Sequence, residues 1–173
     1  MGALPPDWVI FHSCKEDYRD NGHYIHYEAD VVVLVPARGL VVIEVKDWPQ
    51  ARIENGKWLS RRHDAETWTC HAHSPLEQAN IAMQKLMRGL VRSACLPKAP
   101  QRWPEHRHMA ILTQAIPATN ACGYLPFDSL YLCGPDSLAE LQERIESLFV
   151  LNQPERMSAQ RVQKLTDSLV PSI

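Results

Sequence analysis

The segment GLVVIEVK, residues 39–46, decides how this sequence is interpreted. It is rich in Val, Leu and Ile, which favours a buried β-strand, yet it carries a carboxylate at Glu44 and an ammonium at Lys46. Charged groups are costly to bury unless they are paired or bind a ligand. Because successive side chains of a strand point to opposite faces, Glu44 and Lys46 share a face and lie roughly 7 Å apart. The segment therefore predicts a central strand whose charged end forms an ion pair or binds a ligand.

A second apolar run precedes this strand at residues 27–35, and the turn sequence PARG separates the two. The turn predicts a hairpin in which the numbers of paired residues sum to about 74. This register places Asp30 opposite Glu44 and Glu28 opposite Lys46, all on one face of the sheet. The two strands would then gather these carboxylates and the ammonium in a single cluster.

Such a cluster has the composition of a phosphodiester-hydrolysis site. Mg²⁺ prefers one or two carboxylates, a carbonyl and several waters, and Asp30, Glu44 and the Val45 carbonyl would supply the protein ligands. Lys46 would orient or deprotonate the attacking water, or stabilise charge on a phosphate, while the cation polarises the phosphoryl oxygen. The same residues also fit a cross-strand ion pair at a solvated edge, worth under ~1 kcal/mol. The local pattern favours neither interpretation.

Turn signals divide the rest of the first half of the chain. Residues 8–11 predict a short first strand, and the polar stretch 15–23 predicts a loop. Gly39, which ends the PARG turn, is able to adopt a positive φ. Asn55-Gly56 predicts a tight hairpin of its own.

Helical signals begin at Ser74, which suits an N-cap. Pro75 suits the first helical position and Glu77 completes a capping box. Apolar residues then recur at helical spacing as far as Leu90. The second half of the chain predicts strands at 109–115 and 130–134 and helices at 135–149 and 158–170. Strands followed by helices indicate an α/β or α+β sheet with helices on its faces.

The net charge is −2, so any contact with nucleic acid must come from a local patch. Residues 85–108 are locally basic, with cationic side chains at Lys85, Arg88, Arg92, Lys98 and Arg102. The first three recur at helical spacing, on the side of the helix away from its apolar face, and would track a phosphate backbone. An ordinary solvated helix face explains them equally well. No base-recognition motif is present, so sequence readout is not predicted.

The five cysteines are scattered and include no CxxC pair, and the N-terminus lacks a signal-peptide pattern, which together predict a reducing, cytoplasmic location. A zinc site at His63, Cys70, His71 and His73 is an alternative use of the stretch 60–73. These residues lack the spaced ligand pairs of zinc sites, so a loop near the active site is the preferred interpretation.

The stretch EADVVVLVPARGLVVIEVKDW, followed by GKW and by SPLEQA at a helix start, resembles the NERD (nuclease-related) domain of the PD-(D/E)XK nuclease superfamily. The resemblance covers residues 28–90. It implies one α/β domain of restriction-endonuclease-like architecture, with a central mixed sheet flanked by helices. It also implies a Mg²⁺- or Mn²⁺-dependent deoxyribonuclease.

Residue by residue, the resemblance implies that Asp30 and Glu44 bind the metal and that Lys46 is the catalytic lysine. Gln78 matches the family's glutamine in the following helix, where its amide would reach a phosphate or a water near the helix N-terminus. Many members of the superfamily carry a further acid on a helix ahead of the first strand, and no such helix is evident before Trp8. Glu28 is the candidate to supply that charge.

The departure from the family pattern keeps a second function open, a catalytically inactive DNA-binding or partner-docking module of a helicase-type protein. The two ends of the chain resemble NERD modules that precede helicase-like ATPase domains. We therefore expect a nuclease-like domain at residues 1–150 and a C-terminal helix at 151–173 that links to an absent domain. The substrate is expected to be DNA, and cutting of both strands would favour a homodimer.

Overall fold

The computed structural model describes residues 4–20, 22–36, 38–114, 132–149 and 157–169, excluding the side chains of residues 16, 20, 102 and 136–138. The strands are β1 (Val9–Asp20), β2 (His23–Val35), β3 (Gly39–Lys46), β4 (Gln50–Glu54), β5 (Lys57–Arg61), β6 (Thr69–His71), β7 (Glu105–Leu112) and β8 (Leu132–Cys133). The α-helices are α1 (Pro75–Arg92), α2 (Leu141–Ser147) and α3 (Ala159–Leu169), with 3-10 helices at Pro100–Arg102 and Pro135–Glu140.

The strands form two sheets. The central sheet has the order β1-β2-β3-β7-β8, in which β1, β2 and β3 are antiparallel neighbours and β3, β7 and β8 run parallel. A smaller antiparallel sheet has the order β4-β5-β6. Helices α1 and α3 contribute to the core on one face of the central sheet, and α2 contributes to the core on the other. This arrangement confirms the predicted restriction-endonuclease-like α/β architecture.

The hairpin of β2 and β3 has the predicted register. Val31 pairs with Ile43 and Val33 pairs with Val41, so the residue numbers of each pair sum to 74. Alternate residues face opposite cores: Val42 packs on the α1 side, whereas Ile43 packs on the α2 side. The next residue, Glu44, therefore points to the α1 side of the sheet.

The predicted loop at residues 15–23 is wrong, because β1 continues through this stretch to Asp20. Its polar side chains pair across the ladder with β2: Lys15 contacts Glu28 at 3.0 Å, and Asp17 contacts His26 at 2.6 Å. Residues 21–22, Asn-Gly, connect the two strands and are a strong hairpin signal. Polarity suggested a loop, whereas the turn signal and the cross-strand charge pairs specify a long hairpin.

Helix α1 begins as its sequence predicts. The Ser74 hydroxyl accepts a hydrogen bond from the Glu77 N–H at 3.0 Å, and the Glu77 carboxylate accepts one from the Ser74 N–H at 2.7 Å. The hairpin at Asn55-Gly56 is also confirmed, since both residues adopt positive φ, 52° and 73°. Such turns place the two flanking strands in register.

The second half of the chain follows the predicted order with different bounds. The strand expected at 109–115 begins earlier, at Glu105, and the helix expected at 135–149 divides into a 3-10 segment and α2. β8 covers two residues of the predicted strand 130–134, whose residues 130–131 lie outside the described residues. In α3, Leu165 and Leu169 are buried in the α1-side core.

Gly39 does not adopt a positive φ, and the left-handed glycines among the described residues are Gly22 and Gly56. Its lack of a side chain serves a different purpose. A Cβ at Gly39 would lie 1.8 Å from the carbonyl oxygen of Glu105, its partner on β7. The residue is glycine because β3 and β7 approach closely at this point.

We expect Gly39→Ala to destabilise the protein by about 1–3 kcal/mol, since the new methyl group must displace β7. If the space beside Gly39 were open, the same substitution would stabilise the protein by about 0.4–1 kcal/mol, because alanine leaves the unfolded chain less conformational entropy than glycine does. The sign of the change in unfolding free energy, measured in urea, separates the two cases. A more stable Gly39→Ala variant would contradict the close approach.

Candidate active site

A groove of about 370 Å³ opens between α1 and the hairpin of β2 and β3. Glu28 and Glu44 line it from the sheet, and Gln78 and Lys85 line it from the helix. Acidic groups therefore lie on the strand side of the groove, while the helix side carries an amide and an ammonium. The hairpin register and the start of α1 together produce this grouping.

Glu44 is a buried charged residue, with 8% of its surface exposed. It follows the apolar residues of β3 on the face that α1 covers, and its carboxylate pairs with the Lys46 ammonium. Burial raises the pKa of Glu44 above its usual 4.5, and the neighbouring charges of Asp30 and Glu28 raise it further, while the pairing with Lys46 opposes this rise. Pairing with Lys46 thus does not fully offset the cost of burying the Glu44 carboxylate.

Asp30 lies where the β2–β3 ladder ends. The last backbone pair is Val31 with Ile43, and beyond it the Asp30 Oδ2 accepts a hydrogen bond from the Val45 N–H at 2.8 Å. The side chain therefore replaces a backbone acceptor and is held beside the strand that carries Glu44. This contact uses the amide of Val45, whereas the ligand role suggested for its carbonyl stays a prediction.

Glu28 and Lys46 do not form the cross-strand pair that the register suggested. Lys46 pairs with Glu44 instead, two residues away on its own strand. Glu28 pairs with Lys15 of β1 at 3.0 Å, with both side chains about half exposed. Glu28 still lines the groove, so its supporting role stays a prediction.

The helix side of the groove is fixed by contacts to backbone carbonyls. The Gln78 Nε2 donates a hydrogen bond to the His73 carbonyl at 3.1 Å, and the Lys85 ammonium donates one to the His26 carbonyl at 3.0 Å. The expectation that Lys85 points away from the sheet is wrong, because this bond turns it toward β2 and the groove. A lysine is long enough to reach the edge of the core with its charge exposed.

The other predicted phosphate-binding residues have different surroundings. Arg88 and Lys98 are exposed, as a solvated helix face and loop require. The Arg92 guanidinium lies 5.2 Å from the ring centre of Tyr18. The side chain of Arg102 lies outside the described residues. The structure thus brings Lys85, and not the whole basic stretch, to the groove.

The sequence interpretation missed an aromatic group next to Lys46. The rings of Trp48 and His71 are stacked, with centres 4.4 Å apart and planes 17° apart, and the His71 Nε2 lies 2.8 Å from the Ser60 hydroxyl. Burial, followed by the charge of Lys46, lowers the pKa of His71. Strand β6, which carries His71, has three residues, too few for a periodic signal.

The donor set fits a hard divalent cation. Within the described parts of the chain, no three His, Cys, Asp or Glu side chains are grouped so that they alone would hold a metal ion. The zinc alternative at residues 63–73 therefore finds no support. Mg²⁺ commonly binds through one or two carboxylates and several waters, which Asp30 and Glu44 match. Burial is the main cause of the raised pKa of Glu44, with smaller contributions from Asp30 and Glu28, and a bound cation would compensate the buried charge.

We expect Glu44→Gln to stabilise the protein relative to wild type as the pH rises above 4.5, the usual glutamate pKa. A raised pKa means that the folded state prefers the protonated carboxyl, so this contribution is complete below 4.5 and is lost as Glu44 ionises. Urea unfolding at a series of pH values from acid to neutral, without divalent cations, measures the difference. A difference that shrinks with rising pH would contradict the account.

Comparison with known proteins agrees with this geometry. The family model described as NERD, nuclease-related domain, matches residues 3–115, which include every residue of the groove. Searches among curated proteins and among solved structures gave no match. In the described residues, no helix combines the length and hydropathy needed to cross a membrane. With more than half of its residues matched, the chain belongs to the nuclease-related domain family, within the PD-(D/E)XK-like nuclease superfamily.

Proposed function

We propose that the protein is a metal-dependent nuclease that hydrolyses phosphodiester bonds of DNA. The observation that carries this proposal is the buried Glu44 carboxylate, which pairs with Lys46 and opens onto the groove. A buried carboxylate with a raised pKa, beside an ammonium and in a cleft, is typical of functional sites. A solvated ion pair at a sheet edge would not require this burial.

Asp30 and Glu44 would hold Mg²⁺ or Mn²⁺, with the Val45 carbonyl as a further candidate ligand. When bound, the cation would polarise a phosphoryl oxygen and lower the pKa of a coordinated water. The hydrogen bond from the Val45 N–H keeps Asp30 in place. Both carboxylates come from strands of the central sheet, which position side chains more precisely than loops do.

Lys46 would supply positive charge at the reacting phosphate and orient the attacking water. In the resting protein its ammonium is held by Glu44, which keeps it at the site instead of in solvent. Gln78 would position a phosphate oxygen or a water with its amide, because it lies in the first turn of α1, where anions are stabilised. Glu28 would add to the negative potential that attracts the cation.

Lys85 would bind a phosphate next to the scissile one. Its ammonium faces the groove across from Glu44, and the bond to the His26 carbonyl restricts its position. Arg88 and Lys98, both exposed, would extend the contact along the DNA backbone. Arg92 and Arg102 are further candidates for phosphate contacts. Such contacts depend on charge and not on base sequence.

A DNA-binding or partner-docking module without catalysis is the second candidate. The observation in its favour is the engagement of Glu28 with Lys15, which leaves Asp30 and Glu44 as the carboxylates available to a metal ion. In this case the groove would hold DNA for a helicase-like ATPase, and residues 151–173 would link the two. A homodimer would serve the nuclease by presenting one site to each strand.

Cleavage of supercoiled plasmid and of single-stranded DNA with Mg²⁺ or Mn²⁺ tests the proposal. We expect Asp30→Ala and Lys46→Ala to lower the rate by at least about 100-fold, as the loss of a catalytic group does. Asp167→Ala is the control, because Asp167 is exposed on α3 and contacts Gln163 of the same helix. It is expected to cleave at the wild-type rate.

Two other results would count against the nuclease proposal. If wild type shifts DNA in a gel without cutting it, the binding module is the better account. Cleavage that survives both Asp30→Ala and Lys46→Ala would show that the activity comes from another site or from a contaminant, and would contradict the proposal.

A further inference from the structure

The smaller sheet has two unlike faces. Its inner face carries Ile53 and Trp58, which pack in a core cluster with Leu76 of α1. The strand register places Gln50, Arg52 and Arg61 together on the outer face. The inner face explains why the sheet folds against the domain. Gln50, Arg52 and Arg61 do not belong to this core cluster, so packing against the domain does not account for them.

Arg61 lies on this outer face at the end of β5, the middle strand of the smaller sheet. Its Nε and Nη2 both donate hydrogen bonds to the Gln50 Oε1, at 2.8 and 2.5 Å, across the β4–β5 ladder. On its other side is Trp68, the residue before β6, which continues the register in which Ser60 pairs with Thr69. Gln50, Arg61 and Trp68 thus form a row across the sheet.

Two guanidinium groups stack on the indole of Trp68. The Arg52 guanidinium carbon lies 4.2 Å from the ring centre and that of Arg61 lies 4.8 Å from it. We call these three residues the arginine stack. Stacking on an indole and bonding to a neighbouring side chain restrict the rotamers of an arginine, so less entropy is lost when it binds an anion.

The charges within the stack are compensated unequally. Arg52 pairs with Glu54 at 2.9 Å. Among the described residues, Arg61 donates its hydrogen bonds to the neutral amide of Gln50, so its positive charge is not cancelled there. The hydrogens on its Nη1 are left for another acceptor. A held guanidinium with spare parallel donors matches a phosphate group.

The smaller sheet also lies beside the active site. Trp58 and Trp48 have ring centres 6.1 Å apart, and Trp48 stacks on His71. The Lys46 charge contributes to the lowered pKa of His71. These contacts lie on the inner face, whereas Trp68 immediately precedes β6 on the outer face, and β6 is an edge strand of this sheet. A polynucleotide that extends beyond the groove on the Lys46 side would therefore reach the outer face around this edge.

We propose that the arginine stack is a second contact surface for the phosphate backbone of nucleic acid, with Arg61 as the residue that binds phosphate. The inference rests on the proposed function, because the ligand is the same polynucleotide. It adds a site on the smaller sheet, separate from the one that Lys85 of α1 would form. Arg62 provides a matched comparison, since it is the next residue, is highly exposed, and pairs with Asp64 at 3.2 Å.

The test is binding of fluorescently labelled duplex DNA, followed by anisotropy in EDTA over a series of salt concentrations. We expect Arg61→Gln to weaken binding and to reduce the slope of log K against log salt by about 0.9, the value for one phosphate contact. Arg62→Gln is expected to leave the slope unchanged. Wild-type affinity and slope in Arg61→Gln would overturn the proposal, as would an equal loss in Arg62→Gln.

Arg61→Lys distinguishes a phosphate contact from a structural effect. It keeps the charge but loses the stacking and the forked donors, so we expect it to retain the salt slope with weaker binding. If Arg61→Lys reduces the salt slope as much as Arg61→Gln does, Arg61 affects DNA binding by supporting the folded structure, and the proposal is wrong. Because EDTA prevents cleavage, the effect of Arg61→Gln would remain even if the protein proved not to cut DNA.

Discussion

The structure depends on one constraint, a carboxylate at the buried end of a central strand. Glu44 continues the apolar side of β3 beneath α1, where a charge is costly without compensation. Lys46 supplies a counter-charge, and the raised pKa of Glu44 indicates that compensation is incomplete. Gln78 and Lys85 of α1 line the groove with Glu44, and Asp30 of β2 is held beside the strand that carries Glu44 by the Val45 N–H.

The backbone holds β3 at both ends, which fixes where Glu44 points. At its start Gly39 permits the close approach of β7. At its end the Lys46 carbonyl accepts a hydrogen bond from the Thr113 N–H at 3.1 Å. Asp47 then accepts bonds from the Thr113 hydroxyl and the Gln114 amide, at 2.6 and 2.5 Å, which lower its pKa. A site positioned in this way would lose little free energy to reorganisation when it binds a ligand.

Local patterns in the sequence predicted the hairpin register, the capping box of α1 and the turn at Asn55-Gly56, because each depends on residues close along the chain. They failed where contacts between segments distant along the chain determine the structure. The reason for Gly39 is a carbonyl on β7, and the direction of Lys85 is set by a carbonyl on β2. The length of β1 was missed because its polar residues suggested a loop, although Asn-Gly at 21–22 signalled a hairpin. The stack of Trp48 on His71 joins residues whose proximity no periodicity encodes.

Binding of Mn²⁺, followed by the loss of its free electron paramagnetic resonance signal, tests the central claim that Glu44 is buried to hold a cation. The account predicts that wild type binds Mn²⁺ and that Asp30→Asn and Glu44→Gln each weaken binding by at least about tenfold, as the loss of a metal-site group does. Glu143→Gln removes an exposed carboxylate on α2, at the opposite face of the central sheet, and should bind as wild type does. Equal binding by Glu44→Gln and wild type would contradict the account and leave the Glu44–Lys46 pair as a structural ion pair.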